Sequence, residues 1–221
     1  MSFAPIRIRR RTAETTFEVV LRPRVNAIAT LPLPNQILSH FLDHLFKATS
    51  VEVELGQTAF SGSWAFDHVL CEDMGQLIGR GFAELCARRA DTIGTAGRSN
   101  AVCCMDDAHV EVCLSIEGRP RVEWINADDI DGFVDAWYLG DENEQAVAYG
   151  TNLRQFFDGF AIGAGATLII TVRRAGNLHH FYEALFRGLG DALAEATGLQ
   201  ASLPGDTSGL AGLAVYEVED V

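Results

Sequence analysis

The sequence predicts an α+β fold of two similar halves, with helices packed on one face of a mostly antiparallel sheet. An internal repeat supports this prediction. Residues 15–21 and 108–114 alternate apolar and polar side chains, as half-buried strands do. Residues 38–46 and 153–161 both have the apolar spacing of amphipathic helices. The pairs occur in the same order, which favours duplication over a chance likeness between common patterns.

A third pair of segments carries most of the histidines. When His68 is placed over His179, Glu72 falls over Glu183, and both segments have helical spacing without an internal proline. Each half is therefore predicted to run strands, helix, strand, helix, with an HxxxE motif on its last helix.

The chain is divided into three segments. The first half is assigned to residues 1–96 and the second half to residues 97–200, because residues 91–101 are rich in glycine and small polar residues. Residues 201–221 lack periodicity and are predicted to form a loop that wraps over the body. The two halves are expected to form one compact unit.

Composition limits the classes of partner. The net charge of −13 over 221 residues argues against nucleic acid, and the arginine run at 7–11 is interpreted as a solvated strand end or a subunit contact. No apolar run reaches membrane-spanning length, and no apolar segment follows the arginines as in a signal peptide, so a cytoplasmic location is expected. Five cysteines without a CxxC motif favour buried reduced thiols.

The HxxxE motifs are candidate metal sites. Residues four apart on a helix point the same way, so His179 with Glu183, and His68 with Glu72, could each hold one cation. His180 is rotated by about 100° from its neighbour and would serve a second ion. A pseudo-twofold axis between the halves would let it reach the other pair. A single HxxxE motif is also common on ordinary helices.

The role of His44 stays open on this evidence. It lies within residues 41–46, where four neighbours are apolar. A lone histidine in such a setting is more often a satisfied boundary residue than a metal ligand.

Six segments of the chain resemble the imidazoleglycerol-phosphate dehydratase family, which removes water from D-erythro-imidazole glycerol phosphate in histidine biosynthesis. They are RTAETTFEVVL at 11–21, FLDHLF at 41–46, DHVLCED at 67–73, MDDA at 105–108, EGRP at 117–120 and GNLHHFYEALFR at 176–187. The resemblance covers nearly the whole chain. It implies duplicated βαβ-type halves (ribosomal protein S5 domain 2-like) and a hydro-lyase that forms imidazole acetol phosphate.

The resemblance also implies a metal-dependent assembly. Family members form trimers that build a twenty-four-subunit shell, with two manganese ions (Mn²⁺) per active site at subunit interfaces. The imidazolate ring of the small phosphorylated substrate bridges these ions and acts as an electron sink. The ions serve as Lewis acids and template, and a carboxylate carries out the proton transfers.

The family's functional residues are carried over by position. The set for one metal would be His44, His179 and Glu183. The set for the other would be His68, Glu72 and His180. Glu14 matches the acid–base glutamate, and the catalytic carboxylates would be Glu14, Glu72 and Glu183. The substrate and phosphate contacts would be Arg98, Arg119, Arg187, Asp106 and Ser208. Arg98 lies one position off the family's arginine, and the segment 206–209 around Ser208 lacks the family's lysine. Arg187 stands where the family usually has lysine, which keeps the charge but changes the geometry.

Two of the departures from the family pattern remove metal ligands. Val69 replaces the second histidine of the earlier motif, and Ile169 replaces a histidine in the strand before the later one. Each metal thereby loses one imidazole and keeps two histidines and one glutamate, a set that holds a divalent ion more weakly. His40, one turn before His44, and His109 are candidates to restore a ligand; structural roles are the alternative.

Three functions follow from these residues. The first is dehydration of imidazole glycerol phosphate, supported by the retained Glu14 and the retained ligands. The second is a divergent metal-dependent lyase or isomerase with another phosphorylated substrate. The third is a non-catalytic metal-binding shell protein.

Overall fold

A computed structural model describes residues 3–13, 15–23, 33, 36–49, 51–60, 67–127 and 149–200. The first five elements are β1 (Ile6–Arg11), β2 (Thr15–Pro23), α1 (Gln36–Ala48), β3 (Val51–Phe60) and α2 (Asp67–Thr92). The next six are β4 (Arg98–Met105), β5 (Ala108–Ile116), β6 (Arg121–Ile125), α3 (Tyr149–Ala164), β7 (Ala166–Arg174) and α4 (Leu178–Ala196). The predicted tail, residues 201–221, lies outside the described residues.

The two sheets repeat one topology. The first has the order β1-β2-β3 and is antiparallel throughout. The second has the order β4-β5-β7-β6, in which β4, β5 and β7 pair in the same antiparallel way and β6 joins β7 in parallel. The predicted α+β fold of duplicated halves is therefore confirmed, with β6 as an addition to the second half. The residue boundaries assigned to the halves stay a prediction.

Each sheet buries one face because its strands alternate in polarity. On β5, Val110, Val112 and Leu114 are buried, while His109 is exposed and Glu111 is partly exposed. Helix α4 covers β4 and β5, and α2 covers β1 and β2. The buried side chains form one continuous apolar core across both halves.

The helices of the two halves pack against each other, α1 on α4 and α2 on α3. The helices therefore lie between the two sheets. The α2–α3 contact uses a GxxxG pair on each helix. A Cβ atom on Gly75 would lie 2.1 Å from the carbonyl oxygen of Phe156, and one on Gly159 would lie 2.2 Å from that of Glu72. Only glycine permits such close backbones.

The cysteine prediction is partly correct. None of the five cysteines forms a disulfide, and Cys71 and Cys86 are buried as expected. Cys104 is exposed, contrary to the prediction, because it lies on the face of β4 that points away from α4, whereas Cys103 faces that helix. None of the described helices is long and apolar enough to cross a membrane; the cytoplasmic location stays a prediction.

Candidate metal centre

The packing of α1 on α4 brings together side chains that lie far apart in the sequence. The close approach depends on Gly190 of α4, where a Cβ atom would lie 2.3 Å from the carbonyl oxygen of Leu45 on α1. On α1, His40 and His44 are one helical turn apart. On α4, residues 179 and 183 are spaced in the same way, as the HxxxE motif predicts. These two pairs face each other.

Three histidines converge on one carboxylate oxygen. The distances from Glu183 Oε1 are 2.8 Å to His40 Nε2, 3.1 Å to His44 Nε2 and 3.1 Å to His179 Nε2. The ligand atoms of His40, His179 and Glu183 all lie within 4.8 Å of one another, and no other group of this kind occurs among the described residues. We refer to His40, His44, His179 and Glu183 together as the Glu183 cluster.

Glu183 is the buried centre of the cluster. Its side chain is 6% exposed, whereas those of His40 and His179 are 42% and 45% exposed. Burial raises the pKa of Glu183, but the hydrogen bond from His40 and the charges of the neighbouring imidazoles outweigh it and leave the pKa lowered. Within the described structure, Glu183 Oε2 has no hydrogen-bond partner.

Arg187 borders the cluster one turn further along α4. Its Nε–H donates a hydrogen bond of 3.0 Å to His44 Nδ1, and its Nη2 lies 3.8 Å from Glu183 Oε2. Burial is the main reason that the pKa of His44 is lowered, and it outweighs the attraction to the carboxylate of Glu183. His44 therefore accepts from Arg187 through Nδ1 while its Nε2 lies close to the carboxylate of Glu183.

His180 is turned away from the cluster, towards the hairpin between β4 and β5. Its Nδ1 lies 2.9 Å from Asp107 Oδ1, and its Nε2 lies 3.4 Å from Asp106 Oδ2. The hydrogen bond to Asp107 is the main reason that the pKa of His180 is raised.

The side chain of Asn177 caps α4 by accepting a hydrogen bond of 2.8 Å from the His179 amide.

The second predicted metal set is not assembled by the described part of the chain. Glu72 lies on α2 and accepts a hydrogen bond from Gln76 on the same helix. For His68, only the helical backbone is described. Val69, at the position of the replaced histidine, is half-buried on α2.

The predicted substrate contacts are spread over the surface. Arg119 is exposed in the turn between β5 and β6, with its amide donating to the carbonyl oxygen of Gly165. Arg98 and Ile169 line an open depression on the second sheet that also borders Glu195, near the end of α4 remote from the cluster. Glu14 and Ser208 lie outside the described residues.

Of the two additional histidines, only His40 joins the cluster. His109 is exposed on β5 and does not belong to it. The signal for His40 was present in the sequence, since it lies one turn from His44 on the same helix face. Its contact with Glu183, 143 residues away, depends on how α1 crosses α4.

The fold and the cluster together define a class: a duplicated α+β protein whose paired helices hold a buried glutamate among histidines. Residues 34–193 match the family model described as imidazoleglycerol-phosphate dehydratase. The chain belongs to the imidazoleglycerol-phosphate dehydratase family.

Individual relatives agree with this assignment. Imidazoleglycerol-phosphate dehydratase of Sulfurisphaera tokodaii is 30% identical over 203 residues, covering 89% of this chain and 93% of the relative. That of Anaeromyxobacter is 33% identical over 208 residues, covering 92% and 91%. A crystal structure of the Pyrococcus furiosus protein has a TM-score of 0.66 at 27% identity, covering 92% of this chain and 99% of that one. The Staphylococcus aureus protein, at 21% identity, has the same fold, with a TM-score of 0.68 over 89% of this chain and all of that one.

Proposed function

We propose that the chain is a metal-dependent hydro-lyase that converts D-erythro-imidazole glycerol phosphate to imidazole acetol phosphate in histidine biosynthesis. The observation that carries the proposal is the convergence of three imidazole nitrogens on the buried Glu183 Oε1. Family membership supplies the reaction.

The residues present suit a divalent ion such as Mn²⁺. Imidazole nitrogens and a carboxylate oxygen are ligands for such ions. The two oxygens of Glu183 differ in their surroundings. Oε1 is surrounded by histidines, while buried Oε2 has no hydrogen-bond partner in the described structure, as expected of an atom left available for a ligand. An ion bound here would act as a Lewis acid and as a template that orients the substrate.

Other residues of the chain would handle the substrate itself. Glu14 is proposed as the acid–base group, which takes a proton from carbon and assists loss of a hydroxyl group from the adjacent carbon. Water and an enol result, and the enol becomes the ketone by moving its proton to carbon. Arg119 and Arg98 are proposed to bind the phosphate.

A complete site is proposed to need a second subunit. The ring nitrogens of His180 face Asp106 and Asp107, and Arg98 lies towards the remote end of α4, so neither side chain offers a ligand or contact to the Glu183 cluster in a single chain. We propose that His68, Glu72 and His180 form the second metal set across an interface. The assembly would be the trimer-based, twenty-four-subunit shell that the family resemblance implies.

Purified protein loaded with Mn²⁺ tests the function. Incubation with imidazole glycerol phosphate is expected to yield imidazole acetol phosphate, and elemental analysis is expected to find bound metal. The His179→Ala variant should lose metal and turnover together, while His109→Ala should keep both. If metal-loaded protein at high concentration gives no product, the substrate assignment is wrong.

A divergent lyase with another phosphorylated substrate is the second candidate. Ile169 favours it, because an apolar side chain stands in the depression beside Arg98 where the family has a metal-binding histidine. Growth of a histidine auxotroph on this gene would exclude that alternative. Tight metal binding in a large particle without turnover on any phosphorylated imidazole would instead favour a non-catalytic shell protein.

A further inference from the structure

We propose that Asp73 is a positioning residue, which fixes the turn that carries Glu14 against helix α2. The inference deepens the proposed function, because it takes the acid–base role of Glu14 from there. Asp73 is the last residue of the segment 67–73 and follows Glu72 directly, but it belongs to neither metal set and to none of the phosphate contacts.

The carboxylate of Asp73 joins α2 to both strands of the β1–β2 hairpin. From β2, the hydroxyl group of Thr15 donates a hydrogen bond to Asp73 Oδ2. From β1, Arg10 Nη1 lies 2.7 Å from the same oxygen and forms an ion pair with it. Thr15 and Asp73 are buried, and the side chain of Arg10 is 25% exposed. Polar contacts that are shielded from water in this way are strong.

The turn between β1 and β2 is closed upon Thr15. The Thr12 amide donates a hydrogen bond of 2.8 Å to the Thr15 carbonyl oxygen, and the Thr15 amide donates one of 3.0 Å to Thr12 Oγ1. The two hydroxyl oxygens are 3.1 Å apart. Glu14 directly precedes Thr15 in the chain. A contact that fixes Thr15 to α2 therefore restricts the backbone that bears the Glu14 side chain.

A second branch of the network reaches Glu72. Arg10 Nε–H donates a hydrogen bond of 3.2 Å to Gln76 Oε1, and the side-chain amide of Gln76 donates one of 3.0 Å to Glu72 Oε1. Glu72 belongs to the second metal set proposed above, and partners of this kind orient a carboxylate ligand. One ion pair is thus connected both to the turn of the acid–base residue and to a proposed ligand.

The second half of the chain makes the same contact between sheet and helix with apolar side chains. In the repeat, Ala108 stands in the place of Thr15, and Ala184 stands in the place of Asp73. The two alanines are 1% and 0% exposed. Packing of a sheet on its helix therefore needs no buried charge at this point of the fold.

The arginine is replaced in the second half as well. Cys103 has in β4 the position that Arg10 has in β1, since each pairs with the third residue of the following strand. A buried ion pair is a weak source of stability, because the cost of removing both charges from water offsets their attraction. Since one half folds without the network, its presence beside Glu14 indicates a role in the site.

Two substitutions of Thr15 separate positioning from packing. Thr15→Val removes the hydroxyl group that contacts Asp73 and keeps the shape of the side chain, whereas Thr15→Ser keeps the hydroxyl group. Thr49→Val is the matched control. Thr49 is equally buried between α1 and β3, and its hydroxyl group donates a hydrogen bond of 3.0 Å to the Phe46 carbonyl oxygen.

A triple variant gives the first half the apolar contact of the second. It combines Arg10→Met, Thr15→Ala and Asp73→Ala, so that no partner of the ion pair is left without its counter-charge. Replacement of a whole buried ion pair by apolar side chains is often neutral or stabilising. We therefore expect the thermal midpoint of the triple variant to equal or exceed that of the wild type.

The purified full-length variants are assayed for kcat and KM with imidazole glycerol phosphate at saturating Mn²⁺. Thr15→Val and the triple variant should lose about tenfold to 100-fold in kcat, because misplacement of a catalytic group by about 1 Å has an effect of this size. Their KM should stay near that of the wild type. Thr15→Ser and Thr49→Val should keep the wild-type kcat. Hydrogen exchange, followed by mass spectrometry, should become faster in residues 10–17 of Thr15→Val but not of Thr15→Ser.

Four results would overturn the inference. The first is a wild-type kcat in Thr15→Val or in the triple variant. The second is an equal loss of kcat in Thr49→Val, which would show that any lost buried hydrogen bond has this effect. The third is unchanged hydrogen exchange in residues 10–17 of Thr15→Val. The fourth is a triple variant that does not fold, which would contradict the comparison between the halves.

The same assays distinguish failure of this inference from failure of the proposed function. If the wild-type protein forms product and any of the four results is found, the dehydratase assignment stands and the role of Asp73 is wrong. If the wild-type protein forms no product, the proposed function fails and the role of Asp73 falls with it.

Discussion

Replacing Gly159 by alanine would drive a methyl group into the backbone of the neighbouring helix. The new Cβ on α3 would lie 2.2 Å from the carbonyl oxygen of Glu72 on α2. Ordinary van der Waals contact begins at about 3.5 Å, so the two helices would have to separate by roughly 1 Å at this point. The carbonyl belongs to backbone within a helix and cannot turn aside as a side chain would.

The cost follows from the packing of the two helices. Inserting a methyl group into a close-packed core costs about 1–3 kcal/mol. Alanine recovers up to ~1 kcal/mol because it favours the helical state more than glycine does. Because the contact is with rigid backbone, the upper end of the first range applies, and about 3 kcal/mol less ~1 kcal/mol leaves a net loss of about 2 kcal/mol, or a fall in the thermal midpoint of about 4–8 °C for a chain of this size.

Gly81→Ala is the matched control. It lies in α2 and is equally buried, but its Cβ would meet only the end of the Leu21 side chain, 2.6 Å away, which can rotate. We expect this variant to be as stable as the wild type or more stable. Both are measured by chemical and thermal unfolding at one protein concentration, because assembly contributes to apparent stability. Equal stability of the two variants would refute the close-packing argument.

Three further predictions concern other parts of the chain. Asp73 is 4% exposed and lies 2.7 Å from Arg10 Nη1. Asp73→Ala should lower the free energy of unfolding by about 3 kcal/mol, because it leaves a mostly buried arginine without its counter-charge. A change within experimental error in urea denaturation would contradict this. Burial raises the pKa of the Cys86 thiol. In native protein, alkylation of Cys86 should therefore need a higher pH than alkylation of Cys104, which is exposed. Equal rates of alkylation by mass spectrometry would refute this. Gly176 has a φ of +59°, and a Cβ atom there would lie 2.5 Å from the carboxyl carbon of Asp107. Gly176→Ala should therefore reduce the free energy of unfolding by about 1 kcal/mol or more. An unchanged thermal midpoint would count against this prediction.

Local patterns in the sequence were sufficient for much of the fold. Alternating polarity predicted β2 and β5, and helical spacing predicted α2 and α4, because both signals come from the period of the backbone itself. The repeated order of these segments predicted the duplication. The burial predicted for Cys104 was wrong because packing of α4 decides which face of β4 is covered, and this packing is not contained in the strand's own pattern.

The candidate site separates what the sequence determined from what the tertiary structure decided. The sequence determined that His179 and Glu183 face the same way, because four residues span about one helical turn wherever the helix lies. Only the crossing of α1 and α4 decided that His40 contacts Glu183 and that Arg187 donates to His44. Such contacts depend on the packing of distant apolar faces and on the closeness that glycines at the crossing permit, and no local period encodes them.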